Sequence, residues 1–276
     1  MPSKKLVSIG YKINFLKMGA VNFYEKDYIA EIILSNPNKA NAIDLKMLEE
    51  LKEIISHIHN HPSLRVIIIK GEGDNHFSSG ADINEWSSMK PEHYASEWIK
   101  FGNDIFDSLE KLPQVLIASI NGTCYGGGLE LALCADIRIA VENAYFCLPE
   151  NGIGVIPGWK GSVRLKEIVG LGKANDLILT ARIINASTAQ EWGLINYKFP
   201  KDRFKLETLI IAKNVSKNSP ISIQASKQLL RSNSKDNYAH EKLSKLCKNS
   251  FDGQEGISSF FEKRKPIFKI LIVCNN

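Results

Sequence analysis

The stretch Ala118-Ser119-Ile120-Asn121-Gly122-Thr123-Cys124-Tyr125-Gly126-Gly127-Gly128-Leu129-Glu130 leaves an apolar run, Val115–Ile120, and enters a helix continued by Leu131, Leu133 and Cys134. A continuous apolar run bounded by small residues predicts a strand buried on both faces, as in a parallel sheet. Small residues directly after such a strand sit where an open α/β sheet exposes its ligand-binding edge. A glycine triplet lets backbone approach where a Cβ would obstruct. The helix that follows leaves N–H groups unpaired at the positive end of its dipole. A second stretch, Phe77-Ser78-Ser79-Gly80-Ala81-Asp82-Ile83, follows the strand-like run Val66–Lys70 and predicts the same arrangement. Two amides from separate loops can converge on one oxygen that gains negative charge, which is the geometry of an oxyanion hole.

Working outward, Tyr28–Leu34 predicts a strand, closed by a turn at Asn36-Pro37-Asn38. Asp44 is placed to cap a helix whose Leu45, Leu48, Leu51, Ile54, Ile55 and Ile58 recur at helical spacing. A second helix is predicted over Pro91 to Leu112, with short strands at Ile137–Ala140 and Tyr145–Leu148. Strands alternating with amphipathic helices imply an α/β fold with a largely parallel sheet. From Leu206 the pattern is helical, with breaks predicted near Pro220, Ser232–Ser234 and Gly253. The chain therefore divides into an N-terminal extension (1–20), an α/β core carrying the site (21–200) and a helical C-terminal module (201–276).

Composition narrows the class. The 276 residues are 44% hydrophobic and 24% charged, enough apolar surface to form a sizeable core rather than a disordered chain. No pure apolar run is longer than Ile270–Cys274, far short of the about 18 residues of a membrane span. The net charge of +5 is uneven: residues 201–276 hold 15 basic and 7 acidic side chains, and residues 1–200 hold 20 and 23. The basic tail reads either as solvated helix faces or as a surface for an anion. Its spread spacing, without interleaved aromatics, argues against nucleic acid. Cys124, Cys134, Cys147, Cys247 and Cys274 are odd in number and form no C-x-x-C pair, so they indicate core thiols in a reducing compartment. Lys4, Lys5, Lys12 and Lys17 without acids faintly suggest a mitochondrial leader, and Met18 is an alternative start. The localisation expected is cytoplasmic, or the mitochondrial matrix in a eukaryote.

Two carboxylates give the loops a chemistry. Glu130 follows the glycine triplet, and Glu150 stands in the turn Pro149-Glu150-Asn151-Gly152. A pair of carboxyl groups beside a dry, donor-lined cleft can hold one water and divide acid from base work. Other chemistries lack their residues: no G-x-G-x-x-G opens a helix after the first strand, and no G-x-S-x-G is present. Gly170-Leu171-Gly172-Lys173 lacks the spacing of a phosphate loop. His57, His59 and His61 tempt a metal reading, but they precede Pro62 where a solvated polar loop is expected. No metal is called for.

The strings SSGADI, ASINGTCYGGGLE, CADIRIA and FCLPENGIGVIPG, in this order and spacing, resemble the crotonase (enoyl-CoA hydratase/isomerase) superfamily. The resemblance extends from Tyr28 through Asn36–Ala42 to Phe261-Glu262-Lys263-Arg264-Lys265-Pro266. It implies a spiral of ββα units with a C-terminal helical trimerisation region, assembled as a homotrimer or homohexamer. It also implies a lyase of fatty-acid metabolism and β-oxidation that binds acyl-CoA thioesters. By alignment of motifs, the amides of Ala81 and Gly127 would hold the thioester oxygen. Glu130 and Glu150 would hold the water that adds to a trans-2-enoyl-CoA, with proton delivery to C2 assigned to Glu150. Lys39, Ala40, Ala42, Ser79, Gly80, Asp82 and Ile83 would line the path of coenzyme A, with the basic C-terminal segment near its phosphates. No cofactor is implied, because coenzyme A is part of the substrate and nothing is oxidised. The alternatives are another reaction of the superfamily, an enoyl-CoA isomerase or specialised hydroxyacyl-CoA dehydratase, and a non-catalytic scaffold or RNA binder.

Three positions depart from the pattern. Trp159 and Lys160 follow Pro157-Gly158 where many members carry small residues, which bears on the acyl pocket. Asn84 replaces a residue that is often Lys, and the Ile270–Cys274 tail is unusually apolar.

Overall fold

The structure is a computed structural model that describes residues 14–17, 20–232 and 237–269. The lysine-bearing leader before residue 14, the Met18-Gly19 pair and the apolar tail lie outside the described residues.

A seven-stranded sheet forms the base. Its strands are β1 (Asn14–Lys17), β2 (Val21–Lys26), β3 (Ile29–Leu34), β4 (Val66–Gly71), β6 (Val115–Ile120), β8 (Ile137–Val141) and β11 (Tyr197–Phe199), in that spatial order. The first three are an antiparallel meander, and every later pairing is parallel. Residues 14–17 of the expected N-terminal extension thus belong to the core sheet, as the edge strand on β2. A smaller sheet holds β5 (His76–Ser78), β7 (Thr123–Tyr125), β9 (Tyr145–Cys147) and β10 (Ile184–Asn185), in the order β10-β9-β7-β5. The chain crosses between the sheets in a repeating step, β4 to β5, β6 to β7 and β8 to β9. That step is the spiral.

This second sheet corrects one expectation. The two small-residue stretches do not leave the edge of the large sheet; they leave β5 and β7 of the small one. Strands β5, β7 and β10 escape a periodicity reading because two or three residues cannot establish a period of two, whereas β9 answers the strand predicted at Tyr145–Leu148.

Among the helices, α1 (Leu45–His59) begins as expected, with the Asp44 side chain accepting from Met47 N. Next come α2 (Ile83–Trp86) and α3 (Pro91–His93), then a π-helical segment, Tyr94–Ile99, that runs into α4 (Lys100–Glu110). The single helix predicted over Pro91 to Leu112 therefore carries a π segment, a feature common near functional sites. Helices α5 (Gly127–Leu133), α6 (Gly161–Val169), α7 (Leu171–Thr180) and α8 (Ala186–Glu191) complete the core. The C-terminal module holds α9 (Lys201–Ser216), α10 (Pro220–Arg231), α11 (Asn237–Asn249) and α12 (Phe251–Phe261). Helix α9 packs across β3, β4, β6, β8 and β11, which buries Val66–Ile69 from a second side.

The break expected at Gly253 is displaced. Ser250 caps α12 by accepting from Gly253 N at 2.9 Å, so the glycine sits in the first turn, close against the carbonyl of Cys247. Nor are the histidines a solvated loop. His57 and His59 lie in the last turn of α1; His57 Nε2 lies 2.7 Å from Glu25 Oε1 on β2, while His61 Nδ1 bonds the His57 carbonyl.

Candidate active site

The loop after β5 is shaped by Asn41. This buried residue has φ 56°, a left-handed conformation that Asn tolerates better than most. Its Oδ1 accepts from Asn36 N, and its Nδ2 donates to the carbonyls of Glu72 and His76. Ile43 then zips against the next segment: its N–H donates to Gly80 O at 2.7 Å and its carbonyl accepts from Asp82 N at 2.8 Å. In an extended segment, alternate amides face opposite sides, so the Ala81 N–H is turned away from Ile43. It faces the glycine triplet instead. The donor therefore comes from a bridged extended segment and not from a helix start, because Asp82, one residue later, is the cap of α2.

Gly126 adopts φ 49° and ψ −128°, a conformation open only to glycine, and so directs Gly127 into the first position of α5. The N–H of a first helical residue has no partner within its helix. A Cβ built on Gly80 would lie 3.1 Å from Gly127 N, and one on Gly127 would lie 3.2 Å from Ala81 N. The two amides thus face a space that side chains have vacated.

Glu130 is 2% exposed, one turn into α5. Its Oε1 accepts from Trp159 N and from Gly161 N, each at 2.8 Å. Glu150 begins a 3-10 turn after β9; its Oε1 would be 2.9 Å from a Cβ on Gly126, and its buried Oε2 has no hydrogen-bond partner. Burial, then the charge of Glu150, raises the Glu130 carboxyl to about 8, against the opposing pull of the Gly161 and Trp159 amides and Arg164. Burial raises Glu150 to about 6. Between these values the pair carries one proton. Burial raises both carboxyls, so either can carry that proton.

Both carboxylates and both amide-bearing residues line one cavity of about 100 Å³, together with Ser79, Gly80 and Ile83. Lys39, Ala40, Ala42 and Asp82 do not line it. Lys39 Nζ binds Asp82 Oδ2 at 2.6 Å, and Asp82 Oδ1 accepts from the backbone and side chain of Asn84. The Lys39 ammonium holds the Asp82 carboxyl below its usual range. Asp82 is thus engaged within the loop itself, in the strip expected to lie along the coenzyme A path. Ser79 N donates to Ala40 O, so this neighbouring strip touches the site through backbone. The basic C-terminal residues do not line the cavity either: Lys227 and Arg231 pair with Asp136, and Arg264 with Glu255 and Glu262.

Several lining residues were not read from the sequence. Trp86, Tyr94, Trp98 and Ile99 close the cavity from α2 and the π segment. The Tyr94 hydroxyl is raised by burial and then by the charges of Glu130 and Glu150, so it lies in the field of both. Their spacing was a usable signal, since Tyr94 and Trp98 are four apart in a predicted helix. Arg164 works one layer out. It donates to the Trp159 carbonyl at 2.7 Å while pairing with Asp107 and Glu110, and so fixes the loop that holds Glu130.

A sequence profile described as Enoyl-CoA hydratase/isomerase matches residues 24–270. The chain belongs to the enoyl-CoA hydratase/isomerase family. Within it, a probable enoyl-CoA hydratase of Bacillus subtilis (strain 168) is 36% identical over 260 residues, covering 91% of this chain and 99% of the relative. A crotonyl-CoA hydratase of Syntrophomonas wolfei is 32% identical, covering 88% of this chain and 95% of its own. The crystal structure of an enoyl-CoA hydratase from Bacillus anthracis superposes with a TM-score of 0.87 at 32% identity, over 92% of this chain and all of that one. The two-sheet spiral described above is therefore the enoyl-CoA hydratase/isomerase fold, and the chain is an enzyme of that family. Among the described residues no helix is long and apolar enough to cross a membrane.

Proposed function

We propose that this enzyme adds water across the double bond of a trans-2-enoyl-CoA to give a 3-hydroxyacyl-CoA. One observation carries the reading: the amide-bearing Ala81 and Gly127 and the carboxyl groups of Glu130 and Glu150, both raised by burial, surround a single small cavity. The Ala81 and Gly127 amides hold the thioester oxygen as it gains charge, an effect worth roughly 10²–10³ in rate per donor. The ionised carboxyl takes a proton from water as its oxygen bonds to C3, and the protonated carboxyl supplies one to C2. The pair returns with the same proton count, and no redox cofactor enters because water addition leaves the oxidation balance unchanged. Coenzyme A runs past the Lys39–Ala42 strip and Ser79–Ile83, with the half-exposed Lys39 ammonium as its cationic contact.

The enzyme works as a homotrimer or homohexamer in this reading. The exposed Leu230, Tyr238, Phe260, Phe261 and Ile267 of the C-terminal module support it, since so much apolar surface on one module is unusual for a monomer. A reducing, cytoplasmic setting suits the unpaired Cys124, Cys134, Cys147 and Cys247.

The test is direct. Purified enzyme should discharge the conjugated-enoyl absorbance of crotonyl-CoA and yield 3-hydroxybutyryl-CoA, with Glu130→Gln and Glu150→Gln each losing at least about 10² of the rate. Silence on every 2-enoyl-CoA, with turnover of a 3-enoyl-CoA, would move the enzyme to the isomerases.

A further inference from the structure

Trp159 lines the cavity, and the structure shows what its large ring occupies. The indole is 1% exposed. Its Cζ3 and Cε3 atoms would lie 2.5 and 2.9 Å from a Cβ on Gly127, and a Cβ on Gly102 of α4 would fall on its Nε1. Two glycines on different helices are thus vacated for this one ring. It packs against Trp98 with centroids 5.3 Å apart and against Phe106 at 5.0 Å. Its Nε1 is 3.4 Å from the Trp98 carbonyl, which the π segment presents toward it. Across the cavity, Trp86 and Tyr94 form a second aromatic contact at 5.2 Å.

What remains between these walls is about 100 Å³. In the proposed reaction the thioester carbonyl and the attacking water share this space with the acyl chain. Interiors packed this way do not swell to admit a larger guest without displacing side chains. The Trp159 ring cannot swing aside, because Trp98, Phe106 and the backbone of α4 and α5 confine it on all those sides.

We propose that Trp159, braced by Trp98, is the chain-length determinant of this enzyme, holding the acyl pocket to short chains. The inference rests on the hydratase reading for its substrate class, but its geometry concerns only the acyl cavity. A longer chain would have to expel the indole or leave past Ile153 and Ile156, which are exposed at the cavity rim. Each methylene denied a place in an apolar pocket costs roughly 10-fold or more in kcat/KM.

The experiment compares kcat/KM for crotonyl-, 2-hexenoyl- and 2-decenoyl-CoA in the wild type, Trp159→Leu and Trp98→Leu. In parallel, calorimetry measures binding of saturated butyryl- and decanoyl-CoA, which reads the cavity without the reaction. The wild type should favour crotonyl- over 2-decenoyl-CoA by at least about 10², and Trp159→Leu should move that ratio at least 10-fold toward the long chain. Trp159→Leu keeps the backbone N–H that holds Glu130, so a ratio change reports the pocket and not the chemistry. Should that variant fail to fold, Trp98→Leu loosens the same ring from its other side and must shift the ratio likewise. Wild-type turnover of 2-decenoyl-CoA within 10-fold of crotonyl-CoA, or a ratio unmoved in a folded variant, overturns the proposal. If no enoyl-CoA is turned over, the hydratase reading fails, and the saturated pair still decides: butyryl-CoA must bind tighter in the wild type, with the preference reversed in Trp159→Leu.

Discussion

Glu130→Gln should make the protein more stable at alkaline pH while removing its activity. The amide oxygen of Gln can accept from Trp159 N and Gly161 N, as Oε1 does at 2.8 Å, so the local bonding survives and only the charge is lost. In the wild type, burial and the Glu150 charge raise the carboxyl from 4.5 to about 8. A raised carboxyl favours the folded state in its protonated form. Its contribution is complete below pH 4.5 and is lost as pH rises through about 8. At about 1.4 kcal/mol per unit, the shift sets an upper bound of about 5 kcal/mol. Relaxation around the charge reduces this to about 2–3 kcal/mol in practice. At roughly 2–4 °C per kcal/mol for a domain of this size, the two melting temperatures should separate by about 5–10 °C between pH 5 and pH 9, with the variant higher at pH 9. The assay is thermal unfolding of both proteins at half-unit steps of pH, with crotonyl-CoA hydration measured on the same samples. A separation that stays constant from pH 5 to 9, or a variant retaining more than a tenth of wild-type turnover, would refute the reasoning.

The pH dependence of kcat/KM should be bell-shaped, rising through about 6 and falling through about 8 as the pair passes through its one-proton state; Glu150→Gln should erase one limb. Gly127→Ala should cost at least about 10² in kcat, because its Cβ intrudes between the two amides and 2.5 Å from the Trp159 ring. Combining it with Trp159→Leu should relieve the clash seen in thermal stability without restoring the rate. Asn41→Ala takes its donor from the Glu72 carbonyl and one of two from the His76 carbonyl, which keeps Asn121 Nδ2 at 3.1 Å, and it retains a positive φ, so denaturant titration should show a loss of about 2–3 kcal/mol. Lys39→Met should raise KM for crotonyl-CoA several-fold with kcat within two-fold, and should flatten the dependence of KM on salt.

Much of the architecture was legible because its long elements advertise themselves. The Asp44 cap and the apolar spacing behind it specify α1. The unbroken burial of Val115–Ile120 follows from an apolar run that only a parallel, two-sided strand accommodates. The carboxylates and the amide-bearing residues were legible too, since their neighbours announce them: a glycine triplet before Glu130 and a turn around Glu150. Of the small sheet only β9 was, as the strand predicted at Tyr145–Leu148. Strands of two or three residues, such as β5, β7 and β10, are held by pairing across the chain and not by local preference.

What the sequence alone determined is the inventory: which helices and buried strands form, and which small-residue loops and acids lie between them. Those follow from local propensity and burial pattern, which act over a few residues. Tertiary structure decided everything set by convergence. It turned Ala81 N–H toward Gly127 through a bridge to Ile43, spent Asp82 on Lys39 and Asn84, and pressed the Trp159 ring into space vacated by Gly102 and Gly127. Such outcomes depend on distances between atoms far apart along the chain. No local preference encodes them, because close packing is a property of the assembled core.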